Sequence, residues 1–330
     1  MPRIFKRPRI VVSKCIEFEP CRYNGDMITS HIVAKLREYV DFIPVCPEVE
    51  IGLGIPRPTL RIVRYGDGDR LIQPETGRDV SEDMNHFSED FLDTLPVVDG
   101  FILKNKSPTS GIRDAKIYSS PGKSAPVGHS PGFFGRKIIS RFPFLPMEDE
   151  GRLRNIRIRD HFLTRVFSNA DFREARGRGR LKDLLRFHDE NRYMLDAHSR
   201  TSRDSLDLLI RQNKEVDTNL LFEQYGDILS RALSHPPTYI SNIEVLLQAF
   251  GYFQMRLTPG EKEFFLASLE RYRQGKVSIC GPKNIIALWI ARDGDKLLGN
   301  QTFFMPFPEN LNEPDPAETD RGRDLWGEQG

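Results

Sequence analysis

Cys15, Cys46 and Ser110 each fall just after a short apolar run: Arg9–Ser13 (R-I-V-V-S), Asp41–Val45 (D-F-I-P-V) and Gly100–Lys104 (G-F-I-L-K). Each run reads as a buried parallel strand. Open α/β sheets bind ligands in the crevice beyond the carboxyl ends of their strands, so two thiols and a hydroxyl from distant parts of the chain are expected to converge there. Unpaired cysteines in a reducing compartment act as packing residues, nucleophiles or metal ligands. The four cysteines, at 15, 21, 46 and 280, match no paired C-x-x-C zinc spacing. Iron–sulfur ligation tolerates looser spacing, because single cysteines from separate loops can hold a cluster.

The elements that would position these residues follow from periodicity. Ile28–Tyr39 carries apolar residues at helical spacing, and Leu60–Arg64 and Ala115–Tyr118 are further strands. Asp79–Leu95 reads as a helix capped by Asp79 or Ser81, with Met84, Phe87, Phe91, Leu92 and Leu95 on one face. Strand and helix in alternation predict a parallel sheet with crossover helices, a Rossmann-like α/β domain over residues 1–150. The Pro/Gly/Ser-rich stretch from Pro121 to Gly135 reads as a loop of lid character. Beyond Gly151 strand signals vanish. Residues 151–180 form a basic connector with a hinge at Gly177–Arg180, and 181–312 an all-α domain. Within it Thr258-Pro259-Gly260-Glu261 is a capping box with proline at the first helical position, which predicts a helix to about Arg273. The acidic, proline-rich residues 313–330 read as a disordered tail.

Composition narrows the class. The 330 residues carry a net charge of +1, with 38% hydrophobic and 29% charged side chains, as in a soluble folded protein. Near-neutral charge excludes a global electrostatic footprint, so a polyanion must be held by a local patch. The apolar runs are too short for a signal peptide or a membrane span, which predicts a cytoplasmic protein.

Four blocks give the chain further meaning: Lys14-Cys15, then Cys21-Arg22-Tyr23-Asn24-Gly25, then Cys46-Pro47-Glu48-Val49-Glu50-Ile51-Gly52-Leu53-Gly54 with Arg57 downstream, then Phe101 to Gly111 with Ser107-Pro108-Thr109-Ser110-Gly111. In that order they resemble the thiouracil desulfidase family. The helical half, with F-H-D-E-N at Phe187, S-H-P-P at Ser234 and T-F-F-M-P-F-P at Thr302, is similar to the YbgA-type helical domain of the longer, tRNA 4-thiouridine desulfidase-like members. The resemblance implies a [4Fe-4S] cluster on three cysteines, with one iron open to take sulfur from a thiolated pyrimidine without net redox change. It implies Cys15 and Cys46 as ligands and Glu48 as the acid or base. Ser110 stands where the family pattern S-P-S-C-G has its third cysteine. Serine is a harder ligand of much higher pKa, so either Ser110 or Cys21, six positions after Cys15, completes the set, or the cluster is lost.

Other residues carry two readings. Arg22, Tyr23, Asn24 and Arg57 bind a substrate base and phosphate, or Asn24-Gly25 is simply a turn. Ser107 donates to a substrate carbonyl or opens a turn before Pro108. Arginines from 152 to 186, including Arg176 and Arg178, interleave with Phe162, Phe167 and Phe172 and suit phosphates and unpaired bases, or form a solvated face. Cys280 reads as a buried packing residue, and His188 and His198 as ordinary helix residues. The favoured activity is desulfuration of a thiolated uracil, with 4-thiouridine in tRNA ahead of free thiouracil. The rivals are a non-catalytic RNA-binding relative and a hydrolase with Cys46 as nucleophile; oligomeric state is left open.

Overall fold

The computed structural model describes residues 3–66, 68–212 and 217–312. The elements in chain order are β1 (Arg9–Ser13), α1 (His31–Leu36), β2 (Asp41–Val45), α2 (Pro47–Glu50), β3 (Arg61–Tyr65), β4 (Gly68–Gln73), β5 (Arg78–Asp79), α3 (Ser81–Thr94), β6 (Gly100–Leu103), β7 (Ala115–Tyr118), β8 (Pro126–Ser130), α4 (Phe133–Arg141) and β9 (Met147–Asp149). Helices follow: α5 (Ile156–Arg178), α6 (Leu181–Glu190), α7 (Arg192–His198), α8 (Arg200–Gln212), α9 (Thr218–Ala232), α10 (Tyr239–Phe253), α11 (Pro259–Arg273), α12 (Cys280–Asp293) and α13 (Lys296–Gly299). The chain thus combines a parallel-sheet α/β region with an all-helical region. Its contacts divide it into two compact units, 7–163 with 307–312, and 3–6 with 164–306. The dividing line falls inside α5, upstream of the expected hinge, where Gly179 at φ +65° instead ends that helix. The tail expected over 313–330 lies outside the described residues.

In the first unit β2-β1-β6-β9 form a wholly parallel sheet. Fully buried Ile10, Val11 and Val12 on β1 and Phe101, Ile102 and Leu103 on β6 explain why these apolar runs lie at its centre. β2 was expected to be buried and is instead an edge strand with exposed Pro44. Proline lacks the N–H that a central strand must donate, which confines it to an edge. Leu60–Arg64 and Ala115–Tyr118 were expected in the parallel sheet. They match β3 and β7 of a second, mixed sheet, β5-β4-β3-β7-β8, with β3 antiparallel to β4 and parallel to β7. The supposed loop 121–135 contains β8, antiparallel to β7, and the start of α4. Val11 and Phe101 of the parallel sheet, Ile62 and Ile117 of the mixed sheet, Met84 and Leu92 of α3 and Phe134 and Ile138 of α4 share one core.

The second unit packs Leu184, Phe222, Tyr225, Leu246, Phe253, Phe265 and Trp289 into a single helical core. The expected capping box is present: Glu261 N donates to Thr258 Oγ1 at 3.3 Å, and Thr258 N to Glu261 Oε2 at 2.7 Å. Cys280 is exposed at the first residue of α12, not buried as expected. Phe162 and Phe167 are buried and Phe172 stacks on Tyr225 at 5.5 Å. These rings fill cores and offer no face to a nucleic-acid base. Among the described residues no helix is long and apolar enough to cross a membrane.

A candidate active site lined by thiols

Parallel register brings the carboxyl ends of β2, β1 and β6 together, because β1 lies between the other two. Ser13 pairs with Val45 in register, Lys14 N donates to Val45 O at 2.8 Å, and Lys104 N donates to Ser13 Oγ at 2.9 Å. The chain therefore leaves all three strands at one edge. There Cys15, Cys21, Cys46, Glu48, Arg57, Ser107, Thr109 and Ser110 line a cavity of about 300 Å³, with Arg22 and Tyr23 also on its wall.

Cys21 arrives by a folded loop. Glu19 N donates to Lys14 O at 3.0 Å, Cys21 N to Glu19 O at 2.8 Å and Ile28 N to Cys15 O at 2.8 Å. Glu17 adopts φ +68° within this loop, a left-handed conformation that non-glycine residues rarely take and that tends to mark functional loops. The consequence is three buried thiols on one cavity, with Cys46 Sγ donating to the Cys21 carbonyl at 3.8 Å. The hydrogen bond to Cys15 chiefly pushes Cys21 up to about 11; the one from Cys46 acts against it and burial adds to the rise. Cys46 is pushed up by its hydrogen bond to Cys21 and by burial. Without a cation Cys21 and Cys46 hold their protons, and a metal would have to displace them. A protonated Cys46 is also a poor nucleophile, and among the described residues no histidine lines the cavity to activate it.

The same cavity is lined by an ordered polar chain. Glu48, on α2, receives Arg57 Nε on Oε2 at 2.7 Å and Thr109 Oγ1 on Oε1 at 2.8 Å. Arg57 is buried, donates to Gly54 O at 3.0 Å and places Nη2 3.9 Å from Cys46 Sγ. It holds Glu48 and reaches the sulfur. The hydroxyls of Ser107 and Thr109 are 2.8 Å apart. The loop that carries them is clamped by α4: Phe133 N donates to Pro108 O at 3.1 Å and Gly135 N to Thr109 O at 3.0 Å. A Cβ on Gly132 would stand 2.4 Å from Thr109 O, and one on Gly135 2.3 Å from Gly111 O, so only glycine allows the approach.

The remaining expected residues separate. Tyr23 is exposed, with the Arg22 guanidinium 5.6 Å from its ring centre. Asn24 does not line the cavity; its amide donates to Asp26, and Gly25 at φ +78° completes a turn. Arg176 and Arg178 belong to the helical unit, at the exposed end of α5. Thr109, Lys14, Lys104, Asn105 and Lys106 line the cavity without having been assigned a role. Only the hydroxyl-rich S-P-T-S-G block could have hinted at Thr109.

The cavity-forming region has known relatives. Residues 10–150 match the family described as 2-thiouracil desulfurase, and residues 192–308 match one described as Protein of unknown function (DUF1722). The chain is 26% identical over 160 residues to the uncharacterized protein YbgA of Escherichia coli (strain K12), spanning 47% of this chain and 94% of that protein. It is 31% identical over 112 residues to the uncharacterized protein YbbK of Bacillus subtilis (strain 168), spanning 31% of this chain and 72% of that protein. Among solved structures, the [4Fe-4S]-dependent thiouracil desulfidase TudS aligns with a TM-score of 0.35 and 26% identity, over 44% of this chain and 93% of that one. Through its sheet region, the chain belongs to the 2-thiouracil desulfurase family.

Proposed function

We propose that this protein is a desulfidase for a thiolated uracil base, that it works with an iron–sulfur cluster held by Cys15, Cys21 and Cys46, and that 4-thiouridine in tRNA is its substrate. The observation that carries the reading is three buried thiols lining one cavity together with a carboxylate held on both oxygens. Overall, the thiocarbonyl and one water become a carbonyl and hydrogen sulfide, and no atom changes oxidation state.

A [4Fe-4S] cluster fits this site in the kind of its donors more than in their present arrangement. The thiols point at one another, and among the described residues no group of three or more His, Cys, Asp or Glu is arranged around a metal position. Yet three soft sulfurs share the wall, and Ser110 beside them is a hydroxyl, so Cys21 supplies the thiolate that Ser110 does not. When bound, the cluster supplies an open iron to take the departing sulfur. The chain does the rest. Glu48 accepts a proton from the attacking water, Arg57 holds its carboxylate toward the cavity, and the exposed ring of Tyr23 offers a face on which a pyrimidine can stack.

A polynucleotide is favoured over a free base by arginines crowded around one carboxylate. Arg178, Arg180 and Arg186 all reach Asp183, at 3.5, 2.5 and 3.6 Å, Arg186 also reaches Glu190 at 4.0 Å, and the set leaves one positive charge over for phosphates. The test is anaerobic reconstitution with iron and sulfide, metal and sulfide analysis, and assay on thiolated tRNA, 4-thiouridine and 2-thiouracil. A brown protein that releases sulfide from the tRNA supports the reading. A colourless protein that binds tRNA and releases none refutes it.

A further inference from the structure

We propose that Thr109 is a positioning residue that links Ser107 to Glu48 in a single directed hydrogen-bond chain; the inference rests on the desulfidase reading above. A threonine hydroxyl has one proton, and here it goes to Glu48 Oε1 at 2.8 Å. The proton shared between the hydroxyls of Ser107 and Thr109, 2.8 Å apart, therefore belongs to Ser107. Ser107 Oγ in turn accepts the backbone N–H of Thr109 at 3.2 Å and of Ser110 at 3.0 Å. The order is fixed throughout: backbone N–H to Ser107, Ser107 to Thr109, Thr109 to Glu48, with the far oxygen of Glu48 held by Arg57.

Thr109 is 1% exposed, and its own backbone carbonyl is held by Gly135 N, so the hydroxyl has little freedom to turn elsewhere. Such a chain fixes the direction of one carboxylate oxygen: the two backbone N–H groups fill both lone pairs of Ser107 Oγ, its proton goes to Thr109, and the Thr109 proton holds Glu48 Oε1 in place opposite the hold of Arg57 on Oε2.

The test compares T109V and T109S with wild type as reconstituted holoprotein on 4-thiouridine-containing tRNA, reading kcat, KM and bound iron separately. Valine keeps the shape and removes the hydroxyl; it should lower kcat about 100-fold with KM and iron content nearly unchanged. Serine restores the hydroxyl and should recover kcat to within about threefold. A T109V enzyme with wild-type kcat overturns the inference, as does a T109S enzyme as slow as T109V, which would assign the effect to the lost methyl group. Crystal structures of both variants judge the positioning apart from turnover. Glu48 displaced in T109V and retained in T109S supports the chain even if wild type desulfurises nothing and the functional reading falls; Glu48 unmoved in both overturns it.

Discussion

Each unit buries a cluster of titratable side chains, and the two clusters are built to opposite ends. In the helical unit His188 Nε2 meets Asp207 Oδ1 at 2.8 Å and its Nδ1 meets the Tyr225 hydroxyl at 3.1 Å. Arg203 donates to both Asp207 and Asp196 at 2.8 Å. Burial pushes the Asp207 carboxyl up, but the hydrogen bonds from Arg203 and His188 outweigh it and leave the group below the usual carboxylate range. Every charge there is spent on a neighbour. At the sheet edge, by contrast, the thiols line a cavity, and Cys21 and Cys46 retain protons that a cation could displace. Burial of polar groups therefore marks a functional site only where the groups border a space; a closed and satisfied network serves the fold.

The sharpest way to break this contrast is to remove a thiol. Cys46→Ala should reduce bound iron and sulfide to background after anaerobic reconstitution and abolish sulfide release, while Cys280→Ala, exposed on α12, should match wild type. Retention of a full cluster by Cys46→Ala would falsify the ligand assignment. The next experiment decides between Cys21 and Ser110. Cys21→Ala should lose most of its iron, and the double variant Cys21→Ala with Ser110→Cys should regain it; Ser110→Cys alone should raise occupancy over wild type. Equal iron in wild type, Cys21→Ala and Ser110→Cys would mean that neither position touches the cluster.

On the closed side, His188→Ala leaves Asp207 and the Tyr225 hydroxyl short of a partner. It should cost about 2–4 kcal/mol in urea unfolding, with the iron and sulfide bound per folded chain unchanged. A loss of iron with no loss of stability would reverse the roles assigned to the two clusters. The smallest effect concerns acid. Asp207 is lowered as above, and Asp183 is lowered by its hydrogen bond to Arg180. A carboxyl whose folded pKa lies below its unfolded value stabilises above about pH 4 and loses that contribution as pH falls through the folded value. Thermal unfolding followed by far-ultraviolet circular dichroism should show the helical unit weakening below about pH 4, and less so in Asp207→Asn, which has one fewer proton to take up.

Much of the site was readable from side chains in order along the chain. A short β-branched run such as I-V-V reads as a buried strand, and β1 is one; β2 proved an edge strand, but the exits of both fell where expected and carried Cys15 and Cys46 with them. The capping box at Thr258 was equally plain, because its partners lie three residues apart. The mixed sheet was not readable, since β3 and β7 are short strands whose partners, parallel or antiparallel, leave the same alternation in sequence. Nor was β8, whose Pro126, Gly128 and Ser130 mimic a loop.

What the sequence alone determined is the kind of chemistry available: three soft donors, a carboxylate and hydroxyls after strand-like runs, all written in residue type and local pattern. What only the tertiary structure decided is which of them meet. Cys21 reaches Cys46 because a loop with Glu17 at positive φ folds back, and Thr109 reaches Glu48, 61 residues away, because Gly132 just before α4 and Gly135 within it let the helix pack closely on its loop. Such contacts join residues distant in sequence through backbone conformation and close packing, and no local period records them.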